Sequence, residues 1–295
     1  MRDWLLHMKY CPSLSIKQLG QLCKEVGSEV KEWSADEIAI YLGMKDSQHE
    51  RFKREFQTFN LEVALDELTQ HNIDFITYND EDYPRLLFQL YDPPVLLFLK
   101  GKRSLLSEEK LAIVGTRKMT NYGKQVLRRL IPPLCKVPYT IVSGLALGVD
   151  AEAHRETLSA SGNTIAVIGS GLLQFYPIEN KRLFEQIVRN GLVISEYAPN
   201  VTARKWHFPE RNRLISGLSL GTVIVQAEKR SGSLITADAS LNQNREVFAV
   251  PGDILHACSE GTNKLIQEGA KLVMDASDIN RRNRLNRINF YFLSD

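Results

Sequence analysis

The stretch "YTIVSGLALGVDAEAHRETLSASGNTIAVIGSG" (139–171) decides the fold. Two short apolar runs, "YTIVSG" and "TIAVIGSG", flank a helical stretch, "GVDAEAHRETLSAS". Apolar runs without alternation are expected of parallel strands covered on both faces, and a helix between them makes a crossover. The same texture extends outward in both directions. "LAIVG" (111–115) precedes it; "LVISE" (192–196), "TVIVQAE" (222–228) and "VFAVPG" (247–252) follow, with "ENKRLFEQIVRN" (179–190) as a further helix. Alternating β and α segments predict an α/β protein built on a doubly wound, mostly parallel sheet.

Upstream the pattern changes. The first 70 or so residues read as short helices. Leu14, Leu19, Leu22 and Val26 recur at helical intervals, and Phe52, Phe56, Phe59, Val63, Leu65 and Leu68 supply apolar positions over 51–70. Ser34–Glu37 and Ser47–Glu50 both fit the capping-box pattern. Between 79 and 94, Asp80, Asp82, Pro84, Pro93 and Pro94 break regular structure before "VLLFLK" (95–100), which reads as a buried strand. The division expected is a small all-α domain over 1–71, the sheet domain over 72–280 and a short basic tail over 281–295.

Composition restricts the function classes. Hydrophobic residues make up 43% of the 295 and charged residues 24%, the balance of a globular protein. Four separated cysteines form no CxxC pair, so neither a disulfide framework nor a zinc site is expected. The first residues, "MRDWLLHMKYCPS", hold no sustained apolar run, and no uncharged stretch nears membrane-spanning length, so a cytoplasmic protein without membrane insertion is expected. The net charge of +2 hides an asymmetry. Residues 1–100 carry 11 Lys/Arg against 17 Asp/Glu, and the remainder 26 against 18. A polyanion is the natural partner for the basic part.

Ligands of doubly wound sheets sit beyond the carboxyl ends of the strands. Those ends hold Gly115-Thr116-Arg117, Ser143-Gly144 followed by Gly148, Asp150 and His154, then Gly169-Ser170-Gly171, Gln226-Ala227-Glu228 and Pro251-Gly252. Glycines let a ligand approach the backbone, and N–H groups at a helix start bind anions. No GxGxxG follows the first strand and no GxxxxGK[ST] occurs, so no cofactor is expected. Asp150 and His154, or Glu196 and Glu228, are the available acid–base pairs, and they define an alternative: a nucleotide-binding, hydrolysing enzyme. No GxSxG or HExxH motif accompanies them.

Cations dominate the same loops. Arg117, Lys181, Arg182, Arg204, Lys205, Arg211, Arg213, Lys229 and Arg230 are joined by Ser231, Gly232 and Ser233, with Phe175, Tyr176, Trp206 and Phe208 among them. Cations that follow a backbone and rings that stack on bases suit a single polynucleotide strand. "HFPERNRLISG" (207–217) starts a helix with Arg211 and Arg213, against the macrodipole, with Asn212 between them. A bound phosphate is the expected compensation.

In order along the chain, "AIVGTR", "IVSGLALGVDAEAH", "TIAVIGSGL…YP…N", "SEYAP", "FPERNRLISGLS", "RSGSLITA" and "VFAVPGD…GTNKLIQEGAKLV" resemble the DNA-processing protein A family (DprA, also called Smf), from about residue 83 to 275. The helical N-terminus is similar to the sterile-alpha-motif-like domain of some members; the winged-helix-like domain of longer members is expected to be absent. The resemblance implies an extended Rossmann-like domain that binds single-stranded DNA and is not an enzyme. It further implies a homodimer that protects incoming DNA during natural transformation (competence) and helps load the RecA recombinase. Carried over by motif, Gly115, Thr116 and Arg117, Ser143 and Gly144, Gly169 and Gly171, Lys181, Arg211, Asn212, Arg213, Arg230, Ser231, Gly232 and Ser233 would form or frame the DNA site. Ile178 stands where many members carry a polar or basic residue. Leu265, Ile266 and Leu272 are candidates for the dimer interface, with burial in the core as the alternative.

Overall fold

The computed structural model describes residues 1–137 and 139–280. The helical region comprises α1 (Arg2–Lys9), α2 (Ile16–Glu25), α3 (Ala35–Tyr41), α4 (Asp46–Thr58) and α5 (Leu61–Gln70). Ser34 caps α3 in the expected box: its hydroxyl accepts the Glu37 N–H, and the Glu37 carboxylate accepts the Ser34 N–H at 2.7 Å. The Ser47–Glu50 box does not form. α4 begins two residues earlier than that box requires, at Asp46 after Lys45, where the carboxylate already complements the helix start. Ser15 and Gln18 form a box at α2 that pattern reading missed. The apolar run over 51–70 is two helices, because Phe59 turns extended and Asn60 caps α5; Val63 points to solvent.

The remainder alternates. β1 (Asp74–Thr77) leads through the one-turn α6 (Arg85–Phe88) to β2 (Leu96–Gly101) and β3 (Glu109–Val114). Then follow α7 (Asn121–Cys135), β4 (Tyr139–Ser143), α8 (Val149–Ser159), β5 (Thr164–Ile168), α9 (Lys181–Asn190) and β6 (Leu192–Ser195). The chain continues through α10 (His207–Gly217), β7 (Gly221–Ile224), α11 (Gly232–Asn242), β8 (Glu246–Ala249), α12 (Ala257–Gln267) and β9 (Lys271–Leu272). All six apolar runs named from the sequence are strands, and so is "VLLFLK". β1 and the two-residue β9 are too short to show a period and were not anticipated.

Among the described residues nine strands form one sheet in the order β1-β2-β6-β5-β4-β3-β7-β8-β9. β1–β2 and β2–β6 pair antiparallel; every other pair is parallel. From β3 the chain builds outward through β4, β5 and β6, then crosses back through α10 to place β7 on the other side of β3. The order therefore reverses between β3 and β7, and the loops leaving those two strands diverge there. Such a switch point opens a crevice at the carboxyl ends of the strands.

The boundary expected near residue 71 does not separate two cores. Leu5, Leu6, Leu19, Ile38 and Phe52 of the helical region lie in one buried cluster with Phe75, Phe98, Ile168, Leu172 and Phe184. The basic tail over 281–295 lies outside the described residues.

Candidate nucleic-acid interface

The switch point holds a cleft of about 680 Å3. One wall is the loop after β3, from Gly115 to Lys118; the facing wall is Glu228 and the start of α11; the start of α10 closes a third side. The β3 loop is fixed by sterics. A Cβ on Gly115 would lie 2.7 Å from Val149 Cγ2 and 2.9 Å from the Gln226 carbonyl, so only glycine lets β3 end this close to α8 and β7. The Thr116 N–H donates to Gln226 O at 2.8 Å, and the Thr116 carbonyl accepts from Val149 N. Held at both sides, the loop presents Arg117 to the cleft. Its guanidinium carbon stands 5.4 Å from the Phe208 ring centre, and Phe208 lies 5.9 Å from Tyr176. A cation and two rings thus follow one another along one wall, with Tyr176 52% exposed.

The opposite wall is a helix start. Ser231 caps α11, accepting the Ser233 N–H and sharing a 2.7 Å hydrogen bond with the Ser233 hydroxyl. A Cβ on Gly232 would meet nothing within 4 Å, so the mouth is open there. Asn212 lines the cleft, as do Lys118 and Lys205.

Arg211 forms the floor and is buried. Its Nη1 donates to Gly144 O at 2.6 Å and to Val167 O, the carbonyls where β4 and β5 end; Nε donates to Asn212 Oδ1 at 3.2 Å. Asp150, buried beside it, accepts the Gly144 N–H at 3.1 Å. A Cβ on Gly144 would come within 2.7 Å of both the guanidinium and the carboxylate. Burial draws Arg211 down to about 10, leaving it cationic at neutral pH. Arg213 points to the other side of α10, where Nη2 donates to both Glu196 oxygens at 2.9 and 2.7 Å and Nη1 to Asp92 O at 2.9 Å. The expected phosphate is therefore not what compensates these arginines. Strand-end carbonyls and Asp150 answer Arg211, and Glu196 answers Arg213.

The other expected residues divide. Gly115, Thr116, Arg117, Arg211, Asn212, Ser231, Gly232 and Ser233 meet at the cleft. Ser143 lies beneath it, its hydroxyl donating to Ile113 O at 2.6 Å. Gly169 accepts from His207 Nδ1, and Gly171 packs where a Cβ would strike the Ala198 and Pro199 carbonyls; these two glycines seat the 198–208 loop rather than face the cleft. Lys181, Arg213 and Arg230 are not among the lining residues. Lys205, Tyr176 and Phe208, expected only as part of the wider set of cations and rings, line the cleft, as does Thr236 of the "RSGSLITA" motif; Lys118 lies outside every quoted motif and joins them. Phe175 packs on Phe184 in the core.

The acid–base pairs do not assemble. Asp150 is held by Gly144 N, while His154 Nδ1 lies 2.7 Å from Thr164 Oγ1. Glu228 lines the cleft, and Glu196 lines a different cavity. Of the dimer candidates, Leu265 is buried in the core and Ile266 packs on the same cluster, because α12 covers the sheet there; Leu272, on edge strand β9, is 40% exposed.

The family model for DNA recombination-mediator protein A matches residues 74–284. DNA processing protein DprA of Bacillus subtilis is 45% identical over 230 residues, 77% of each chain. The crystal structure of DNA processing protein A from Streptococcus pneumoniae superimposes with a TM-score of 0.85 at 38% identity, covering 95% of this chain and 97% of that one. DNA processing protein A from Helicobacter pylori, whose structure concerns its single-stranded DNA binding mode, gives a TM-score of 0.64 at 34% identity over 72% of this chain and 96% of that one.

Proposed function

Because this chain belongs to the DNA recombination-mediator protein A family, we propose that its switch-point cleft holds single-stranded DNA without turning it over. The observation that carries this reading is the row Arg117–Phe208–Tyr176 facing the start of α11. Arg117, Lys118, Lys205 and the α11 N–H groups suit phosphates; the two rings suit the faces of unpaired bases. A duplex hides those faces. The single-stranded DNA binding of the Helicobacter pylori relative supports the reading. In this role the protein shields incoming strands during natural transformation and passes them to the RecA recombinase, working as a homodimer in the cytoplasm. The recombination-mediator description of the family supports the RecA step, and exposed Leu272 and Met274 beside edge strand β9 support a contact between copies.

The test is competition between a labelled oligothymidylate and unlabelled single-stranded or duplex competitors of equal length. Base stacking predicts that the single strand competes at least about tenfold better. Equal competition contradicts the reading.

A further inference from the structure

A second cavity, of about 380 Å3, lies on the other side of the α10 start, between the sheet and the N-terminal helices. The segment "RKWHF" (204–208) divides between the two spaces: Lys205 and Phe208 line the cleft, while Arg204, Trp206 and His207 line the second cavity. The two spaces therefore share this five-residue segment as a common wall.

The contents of the second cavity are unusual for a gap between packed elements. Trp206 is 57% exposed, and the Arg204 guanidinium carbon stands 5.3 Å from its ring centre. Deeper in, the last turn of α1 carries Lys9 into the protein. The Lys9 ammonium has no hydrogen bond among the described residues and stands 3.8 Å from Glu196 Oε1, whose carboxylate is already engaged by Arg213. A buried ammonium with three unmet donors calls for acceptors. Glu196 and Glu210 also line the cavity, so a phosphate would meet two carboxylates there. A nucleobase fits better: it brings an aromatic face, carbonyl acceptors and no charge.

We infer that this cavity receives one base of the bound strand, stacked with Trp206 and Arg204 and turning an acceptor edge toward Lys9. The inference rests on the reading of the cleft as the strand's seat. It makes the N-terminal helices, through Lys9, part of the DNA site.

The experiment uses the full chain and oligothymidylates of increasing length, with matched abasic strands. Trp206 is on the surface, so Trp206→Ala is expected to fold as the parent does, which circular dichroism checks. Stacking predicts that this variant binds the longer oligothymidylates at least about fivefold more weakly, while abasic strands and the shortest saturating oligomer lose nothing. Tryptophan fluorescence is quenched by the longer strands, and Trp206→Phe removes that quench while keeping affinity. Lys9→Met weakens the thymidylates and leaves the abasic strands unchanged. The inference is overturned if Trp206→Ala binds all strands as the parent does, or loses affinity equally for abasic strands. If Arg117-dependent binding persists in either case, the cleft reading stands without it; if no single strand binds at all, both fall.

Discussion

Arg117 and Arg211 carry the same guanidinium and do opposite things. Arg117 sits on a loop pinned by Gly115 and faces the cleft; Arg211 is buried, tied to two strand ends and near the opposite charge of Asp150. Removing Arg211 takes the nearby opposite charge from buried Asp150 and the guanidinium donors from the Gly144 and Val167 carbonyls. Arg211→Ala is therefore expected to destabilise the protein by about 3–5 kcal/mol, whereas Arg117→Ala changes stability by less than about 0.5 kcal/mol, both read from urea unfolding. Equal effects would mean that the floor and wall assignments are wrong. Glu228 is the exposed carboxylate of the cleft, whose other carboxylate, Asp150, is buried. Glu228→Gln should tighten oligonucleotide binding by a factor of about two to five at low salt, since it removes a like charge near the phosphates; a loss of affinity would instead give Glu228 a direct contact with a base. At this scale the sequence disclosed which residue types gather at the strand ends. It did not disclose which way each side chain points. In "ERNR", Arg211 and Arg213 lie two positions apart on a helix and so face different sides, one toward the β4 and β5 ends and one toward Glu196.

Among the elements, strands were the most legible, because a strand buried on both faces writes itself as an unbroken apolar run. Helix starts were less so. Ser34 and Ser47 offer the same motif, but only Ser34 is used, because α4 starts before Ser47. Ser34→Ala should cost about 1 kcal/mol of stability and Ser47→Ala less than about 0.5 kcal/mol; the reverse ranking in thermal melts would contradict the boundary of α4. Helix α8 carries a pH dependence. Burial, reinforced by the Arg211 charge, draws His154 down to about 3. The unfolded chain takes that proton near pH 6.5, whereas the folded protein refuses it until about pH 3. The contribution of the neutral imidazole is thus complete above about pH 6.5 and is lost as pH falls toward 3. Between pH 7.5 and pH 5 the parent should lose about 2 kcal/mol through this group. His154→Gln, which keeps a partner for Thr164, should remove that part of the slope; an unchanged slope would mean that His154 is protonated in the folded state.

Across the whole molecule, the helical region and the sheet share one buried cluster and the Lys9–Glu196–Arg213 chain of charges. A change of texture near residue 71 marks where the secondary structure changes, not where the packing ends. The protein should therefore unfold in a single calorimetric transition, and a 72–280 fragment should expose Phe75, Phe98 and Phe184 and aggregate. Two separate transitions would restore the boundary as a division between independent domains. The cleft depends on the same long-range order, since the reversal between β3 and β7 brings loops more than 100 residues apart to one place. The salt dependence of single-strand binding measures that convergence. Each phosphate neutralised contributes about −0.7 to the slope of log affinity against log salt. Replacing Arg117, Lys118 and Lys205 together by alanine should flatten the slope by roughly 2, for every sequence alike. A slope equal to that of the parent, in a variant that remains folded, would show that the strand lies elsewhere.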